Sequence, residues 1–289
     1  MVLISKRIWA RCCILLILKI GEIDLIKLGS VPFLNVKPLI YPLEERLVDH
    51  DFEVSYTPPA NLSKMLFEKK VDLGLIPVAE LLKRGIYSIV PNISISSYGK
   101  VDSVILITRE EMKQIGTVAV DVRSQSSAAL LRVILEIFNK LTPTYVNREP
   151  NNKFLDGVDG GMLIGDTGLK LSYFPPHGYR VFDLGEIWTS ETGLPFVYAI
   201  YAVNNGVHLG ESLRALGAAK SIGLKNVERI AKIQSEKLGF VEEICLRYLT
   251  ERIKYDLGEK EMKGILAYGT FLGELGEIEK VPNLKIYSE

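Results

Sequence analysis

From Asp24 onward, short apolar runs alternate with longer amphipathic ones, and the alternation starts afresh partway along the chain. Leu25–Val31 reads as a buried strand that ends at the turn-forming Pro32. Asn35–Val48 reads as a helix, with Pro38 acceptable only in the first turn. Phe52–Thr57 alternates as a strand does. Over Pro59–Lys69, residues Leu62, Met65 and Leu66 fall on one helical face. Asp72–Ile76 predicts a strand, Val78–Lys83 a short helix, and Ser88–Ser96 and Ser103–Thr108 two further strands. The second series has strands at Thr117–Asp121, Thr144–Val146, Gly160–Ile164, Tyr179–Phe182 and Phe196–Val203. Helices are expected at Ser126–Asn139, from Gly165 to Leu171, and at Leu184–Thr192. After Val203 the pattern is helical nearly to the end.

Such a βαβα order implies parallel sheet covered by helices, the α/β class. Two units of similar size followed by a helical tail suggest a two-lobed fold with a cleft between the lobes. Its crossings are expected near Ile107–Glu110 and Pro195–Val203. Residues 25–107 and 204–289 would then form a discontinuous first lobe. Residues 108–203 would form the second, return crossing included, with 1–24 preceding both as an N-terminal extension. The alternative is one doubly wound domain with a helical appendage. Ligands of open α/β sheets bind beyond the carboxyl ends of the strands, so two such edges would face each other.

Charge and motif content narrow the function. Lys+Arg and Asp+Glu number 35 each, without the basic surplus of nucleic-acid binders. The three cysteines, Cys12, Cys13 and Cys245, form no CxxC, and His50, His177 and His208 lack ligand spacing, so neither metal nor cofactor is expected. No G-x-G-x-x-G follows the first strand, and no P-loop, G-x-S-x-G or H-E-x-x-H occurs. Lys6, Arg7 and Arg11 precede an apolar run, Cys12–Leu18, that resembles a weak leader. It is far shorter than the roughly 20 residues of a membrane span. Cytoplasmic residence with a bland extension is the expectation, and export the alternative.

Small polar residues gather at the strand ends. Ser30 and Asn35 flank the first turn. Ser97 and Ser103 bracket Tyr98-Gly99-Lys100. Ser124, Gln125, Ser126 and Ser127 lie between a strand and a helix, as do Asp166 and Thr167. Each could cap a helix. Together, with free helix N–H groups, they suit a small carboxylate ligand.

Several of these positions belong to longer motifs. Leu28-Gly29-Ser30-Val31-Pro32-Phe33-Leu34-Asn35-Val36-Lys37-Pro38-Leu39, Asp72-Leu73-Gly74-Leu75-Ile76-Pro77 and Leu163-Ile164-Gly165-Asp166 occur in that order. Asp183-Leu184-Gly185-Glu186-Ile187-Trp188 and Thr192-Gly193-Leu194-Pro195-Phe196-Val197 follow. In this order they resemble the chorismate dehydratase family of the futalosine pathway of menaquinone biosynthesis.

The resemblance implies a type 2 periplasmic-binding-protein fold and conversion of chorismate to 3-enolpyruvylbenzoate and water. It implies Asn35 and Ser103 as the catalytic positions. Ser30, Ser97, Ser124, Gln125, Ser126, Ser127, Asp166 and Thr167 are the expected substrate contacts. Gln125 departs from the family's arginine, and the turn before Ser103 lacks the family's acid and proline. The base is left between Asp166 and a carboxylate of the substrate itself. The competing reading is a non-catalytic solute-binding protein for a small carboxylate.

Overall fold

The computed structural model describes residues 25–288. The expected N-terminal extension, with Cys12 and Cys13, lies outside the described residues. Among the described residues the strands form two sheets. The first has the order β11-β4-β10-β3-β1-β2 and the second β7-β6-β8-β5-β9. The first holds β1 (Ile26–Ser30), β2 (Phe52–Tyr56), β3 (Leu73–Pro77), β4 (Ser88–Ser97), β10 (Phe196–Val203) and β11 (Lys285–Ile286). The second holds β5 (Val104–Thr108), β6 (Thr117–Asp121), β7 (Thr144–Arg148), β8 (Gly160–Ile164) and β9 (Arg180–Asp183).

Each sheet has a parallel part and one intruding antiparallel strand. In the first, β1 runs parallel to β2 and β3, while β10 runs antiparallel between β3 and β4. In the second, β6 runs parallel to β7 and β8, while β5 runs antiparallel between β8 and β9. The intruder is in both cases the strand reached directly after the chain has crossed from the other sheet. This corrects the expected crossings and lobe limits. The chain crosses between β4 and β5, over residues 98–103, and again between Gly193 and Phe196. Residues 104–107 thus pair in the second sheet and residues 196–203 in the first. Both intruding strands are buried almost throughout, which marks a central strand without saying of which sheet.

The helices are α1 (Lys37–Glu44), α2 (Pro59–Phe67), α3 (Val78–Arg84), α4 (Gln125–Arg132), α5 (Gly165–Tyr173), α6 (Leu184–Thr192), α7 (Glu211–Lys225), α8 (Val227–Leu238), α9 (Glu242–Arg247) and α10 (Glu259–Glu274). Two of them run on into π turns, α4 through Val133–Phe138 and α9 through Tyr248–Arg252. The first expected helix is shorter than its pattern. Leu34–Val36 forms a 3₁₀ turn, α1 starts at Lys37, and Arg46 at φ 53° takes the chain out of it.

The junction between the lobes is packed by aromatic rings. Trp188 of α6 makes edge contacts with Phe196, Tyr268 and Phe271, and its indole N–H donates to the Pro195 carbonyl at 3.2 Å. Phe271 also meets Phe138, so α10 contacts both halves. Glu277, just beyond α10, accepts from Lys83 on the first half at 2.6 Å and from Arg132 on the second. These contacts hold the two sheet edges facing one another.

Candidate active site

Both sheets supply the walls of one cleft. Val31, Phe33, Asn35 and Val36 come from the turn after β1, Leu75 and Pro77 from β3, and Ile95 from β4. Val101, Ser103 and Val104 come from the first crossing and the start of β5. Ser124 and Ser127 lie at the start of α4, Ile164 and Gly165 at the end of β8, Tyr198 and Ala199 in β10, and Pro59 at the start of α2. The carboxyl ends of β1, β3, β6 and β8 all open here. Because β5 runs antiparallel, its amino end lies at the same edge, and this brings Ser103 to the cleft.

Asn35 sits inside the 3₁₀ turn rather than at its cap. Phe33 holds the cap position and makes no side-chain capping bond. The Asn35 Oδ1 is buried and has no protein partner among the described residues. Its backbone carbonyl accepts the Tyr255 hydroxyl at 3.0 Å. A capping role is thereby removed, and an unpaired amide oxygen in a ligand-sized cleft is left. A buried polar atom without a partner is costly, so a ligand that bonds to it gains that energy back.

Ser103 is 1% exposed and accepts the Tyr248 hydroxyl at 2.8 Å. Its loop is built by Asp183, whose carboxylate accepts the N–H groups of Val101, Asp102 and Glu186. Burial pushes the Asp183 carboxyl up to about 6 in spite of those donors. Asp102 has the left-handed φ of 60°, a strained conformation for a residue with a side chain. Its carboxylate is held by Tyr173 at 2.7 Å and Arg252 at 2.8 Å. On the far side Gly168 of α5 presses on the Ser103 backbone, where a Cβ would stand 2.4 Å from the Ser103 carbonyl oxygen.

The expected contacts divide. Asn35, Ser103, Ser124 and Ser127 line the cleft; Ser30, Ser97, Gln125, Ser126, Asp166 and Thr167 do not. Ser124 is a true cap, accepting the Ser127 N–H at 3.2 Å and donating to the Ser127 Oγ at 2.9 Å. Ser126 Oγ instead accepts the Ala79 N–H at 2.9 Å, tying α4 to α3. Ser97 bonds to the Tyr198 hydroxyl at 3.0 Å and so supports a cleft residue. Gln125 is exposed and Thr167 only half-buried. Ser30 is fully buried, and its Oγ has no partner among the described residues. Asp166 accepts the Leu34 N–H at 3.1 Å across the cleft edge, and burial raises its carboxyl above the ordinary range. Tyr198, Tyr248 and the apolar lining were not singled out from the sequence. Tyr198 lies within an apolar strand pattern and Tyr248 within the helical tail, so neither carried a local signal.

No charged side chain among the described residues lines the cleft. Among the described residues no cluster of His, Cys, Asp and Glu could hold a metal ion, and no helix is long and apolar enough to cross a membrane. The cleft therefore offers hydroxyls, an amide and backbone N–H groups in an apolar shell. Such donors bind anions strongly where water is excluded.

A protein-family model described as menaquinone biosynthesis matches residues 26–274. The chain belongs to this menaquinone biosynthesis family. Chorismate dehydratase of Thermus thermophilus is 30% identical to it over 262 residues, which cover 85% of this chain and 94% of that protein. Chorismate dehydratase of Campylobacter jejuni is 25% identical over 178 residues, covering 60% and 66%. Among solved structures, a protein of Archaeoglobus fulgidus matches with a TM-score of 0.74 at 18% identity, over 89% of this chain and all of that one. The periplasmic aliphatic sulphonate binding protein of Escherichia coli matches with a TM-score of 0.62 at 16% identity, over 91% and 94%. These two likenesses show the fold, the two-lobed periplasmic-binding-protein architecture. Within the menaquinone biosynthesis family frame, the matched segment takes in every cleft residue named above.

Proposed function

We propose that this chain removes water from chorismate to give 3-enolpyruvylbenzoate, as a hydro-lyase of the futalosine route acting in the cytoplasm. Membership of the menaquinone biosynthesis family and the Thermus thermophilus relative support this reading. The observation that carries it is the meeting of Asn35 and Ser103. They come from opposite sheets and line one cleft, and among the described residues the Asn35 Oδ1 has no partner and the Ser103 hydroxyl hydrogen has no acceptor.

The reaction breaks the C3–H and C4–O bonds of the ring. The C3 proton and the C4 hydroxyl leave as water, and the C3–C4 π bond completes the aromatic ring. Aromatisation drives the step, so the protein has mainly to orient the substrate and hold its carboxylates. Asn35, Ser103 and Ser127 supply neutral donors for that purpose. A general base has to reach its proton at about 3 Å. Asp166 is committed to the Leu34 amide and lies off the cleft wall, so a carboxylate of the substrate is the base in this reading.

The test is incubation of the purified protein with chorismate, with and without EDTA, followed by mass analysis of the product. A product lighter by one water in both arms is expected. Tight binding of chorismate with no turnover would instead identify a binding protein.

A further inference from the structure

Tyr248 begins the π turn that follows α9, 145 residues along the chain from Ser103. It is 1% exposed, and its hydroxyl donates to the Ser103 Oγ at 2.8 Å. Burial raises the Tyr248 phenol above its ordinary value, so it remains a neutral donor. A serine hydroxyl has one hydrogen and two lone pairs. Tyr248 fills one lone pair of Ser103, and the Ser103 hydrogen has no acceptor among the described residues. Ser103 is 1% exposed and lines the cleft. The same π turn packs against the Leu34–Val36 turn that carries Asn35, and Tyr255, just beyond it, bonds to the Asn35 carbonyl. π turns are common at functional sites because the extra residue displaces one side chain from the regular helical register.

We propose that Tyr248 is a positioning residue: by donating to the Ser103 oxygen it turns the Ser103 hydrogen into the cleft, where it serves as the donor to a substrate carboxylate. The inference rests on the reading of this cleft as the place where chorismate loses water. Without the phenol the serine hydroxyl is free to turn among its staggered orientations, and only one of them serves the ligand. The hydrogen-bonded pair also polarises in one direction, which strengthens the outward donor.

The test is a double-mutant cycle on the full chain with chorismate as substrate. Tyr248→Phe keeps the ring and removes the hydroxyl. It is expected to lower kcat about 10–100-fold with KM within about threefold, the size of effect seen when an aligned group is lost. Introduced into Ser103→Ala, Tyr248→Phe is expected to cost much less than it does in the wild type, because the group it orients is gone. Full kcat in Tyr248→Phe, or additive losses in the double variant, would overturn the inference. Should Tyr248→Phe not fold, 3,5-difluorotyrosine at position 248 keeps ring and hydroxyl while making the phenol a stronger donor. A changed kcat at constant KM then supports the inference, and an unchanged kcat overturns it. Failure of the underlying reading looks different. Wild-type protein that leaves chorismate intact, or a fully active Ser103→Ala, removes the reading of the site, and with it the role of Tyr248.

Discussion

The Asp183 carboxylate accepts the Asp102 backbone N–H at 2.7 Å, and so fixes the chain one residue before Ser103. The same carboxylate caps α6 through Glu186. One buried acid thus ties the first crossing, the start of β5 and a helix of the second half together.

This acid predicts a pH signature in stability. Its carboxyl rises from 3.8 to about 6 on folding. A raised folded value means that the protonated form is favoured in the fold. The contribution is therefore fully present below about pH 4 and is lost as pH rises through about 6. Asp183→Asn cannot ionise and lacks this slope. The melting temperature of the variant is expected to gain on that of the wild type between pH 4 and 7. Thermal unfolding of both proteins across that range checks it; a constant difference would show that Asp183 is ionised in the fold throughout.

Asn35 separates a structural from a chemical role. It caps no helix, so Asn35→Asp loses no cap, and it places a negative charge against a dianionic substrate. Turnover of chorismate is expected to fall about 10²–10³-fold, as on loss of an oxyanion-type donor. Steady-state kinetics beside a melting curve check both halves. A variant with near wild-type kcat/KM would return Asn35 to a packing role.

Gly168 sets the depth of Ser103. Any side chain there meets the Ser103 carbonyl, so Gly168→Ala has to move either α5 or the loop. A stability loss of about 1–3 kcal/mol is expected from overpacking, with a fall of tenfold or more in kcat. Denaturant unfolding and kinetics on one preparation test this, and unchanged kinetics would show that the loop position is not critical.

Ser126 is expected to matter for stability rather than for substrate. Ser126→Ala leaves the buried Ala79 N–H unpaired, at a cost of about 1–3 kcal/mol. KM for chorismate is expected to change less than threefold. A large rise in KM with normal stability would put Ser126 back among the substrate contacts.

Local pattern alone was enough for much of this molecule. The alternation of runs indicated α/β layers in two units, because burial on one face imposes periods of 2 and 3.6 whatever the partner. The ordered motifs around Asn35, Gly165 and Asp183 pointed to the family, since tight turns demand particular residues. Together with the small polar residues at the strand ends, the resemblance brought Asn35, Ser103, Ser124 and Ser127 into the candidate site. Tertiary structure alone decided the rest. The apolar runs of β5 and β10 reported burial but not which sheet they enter, so the crossings were misplaced. Five serines of similar sequence context met different fates. Ser103 and Ser127 reached the cleft with hydrogens to offer, and Ser124 reached it as a cap. Ser126 bonded to α3, and Ser97 bonded to Tyr198. A hydroxyl's role is set by which donor lies within 3 Å of it, and that distance is fixed by elements remote in sequence. Tyr248 is the clearest instance. Nothing near it in the chain marks it, and it reaches Ser103 only because the C-terminal helices fold back across the first half to the cleft.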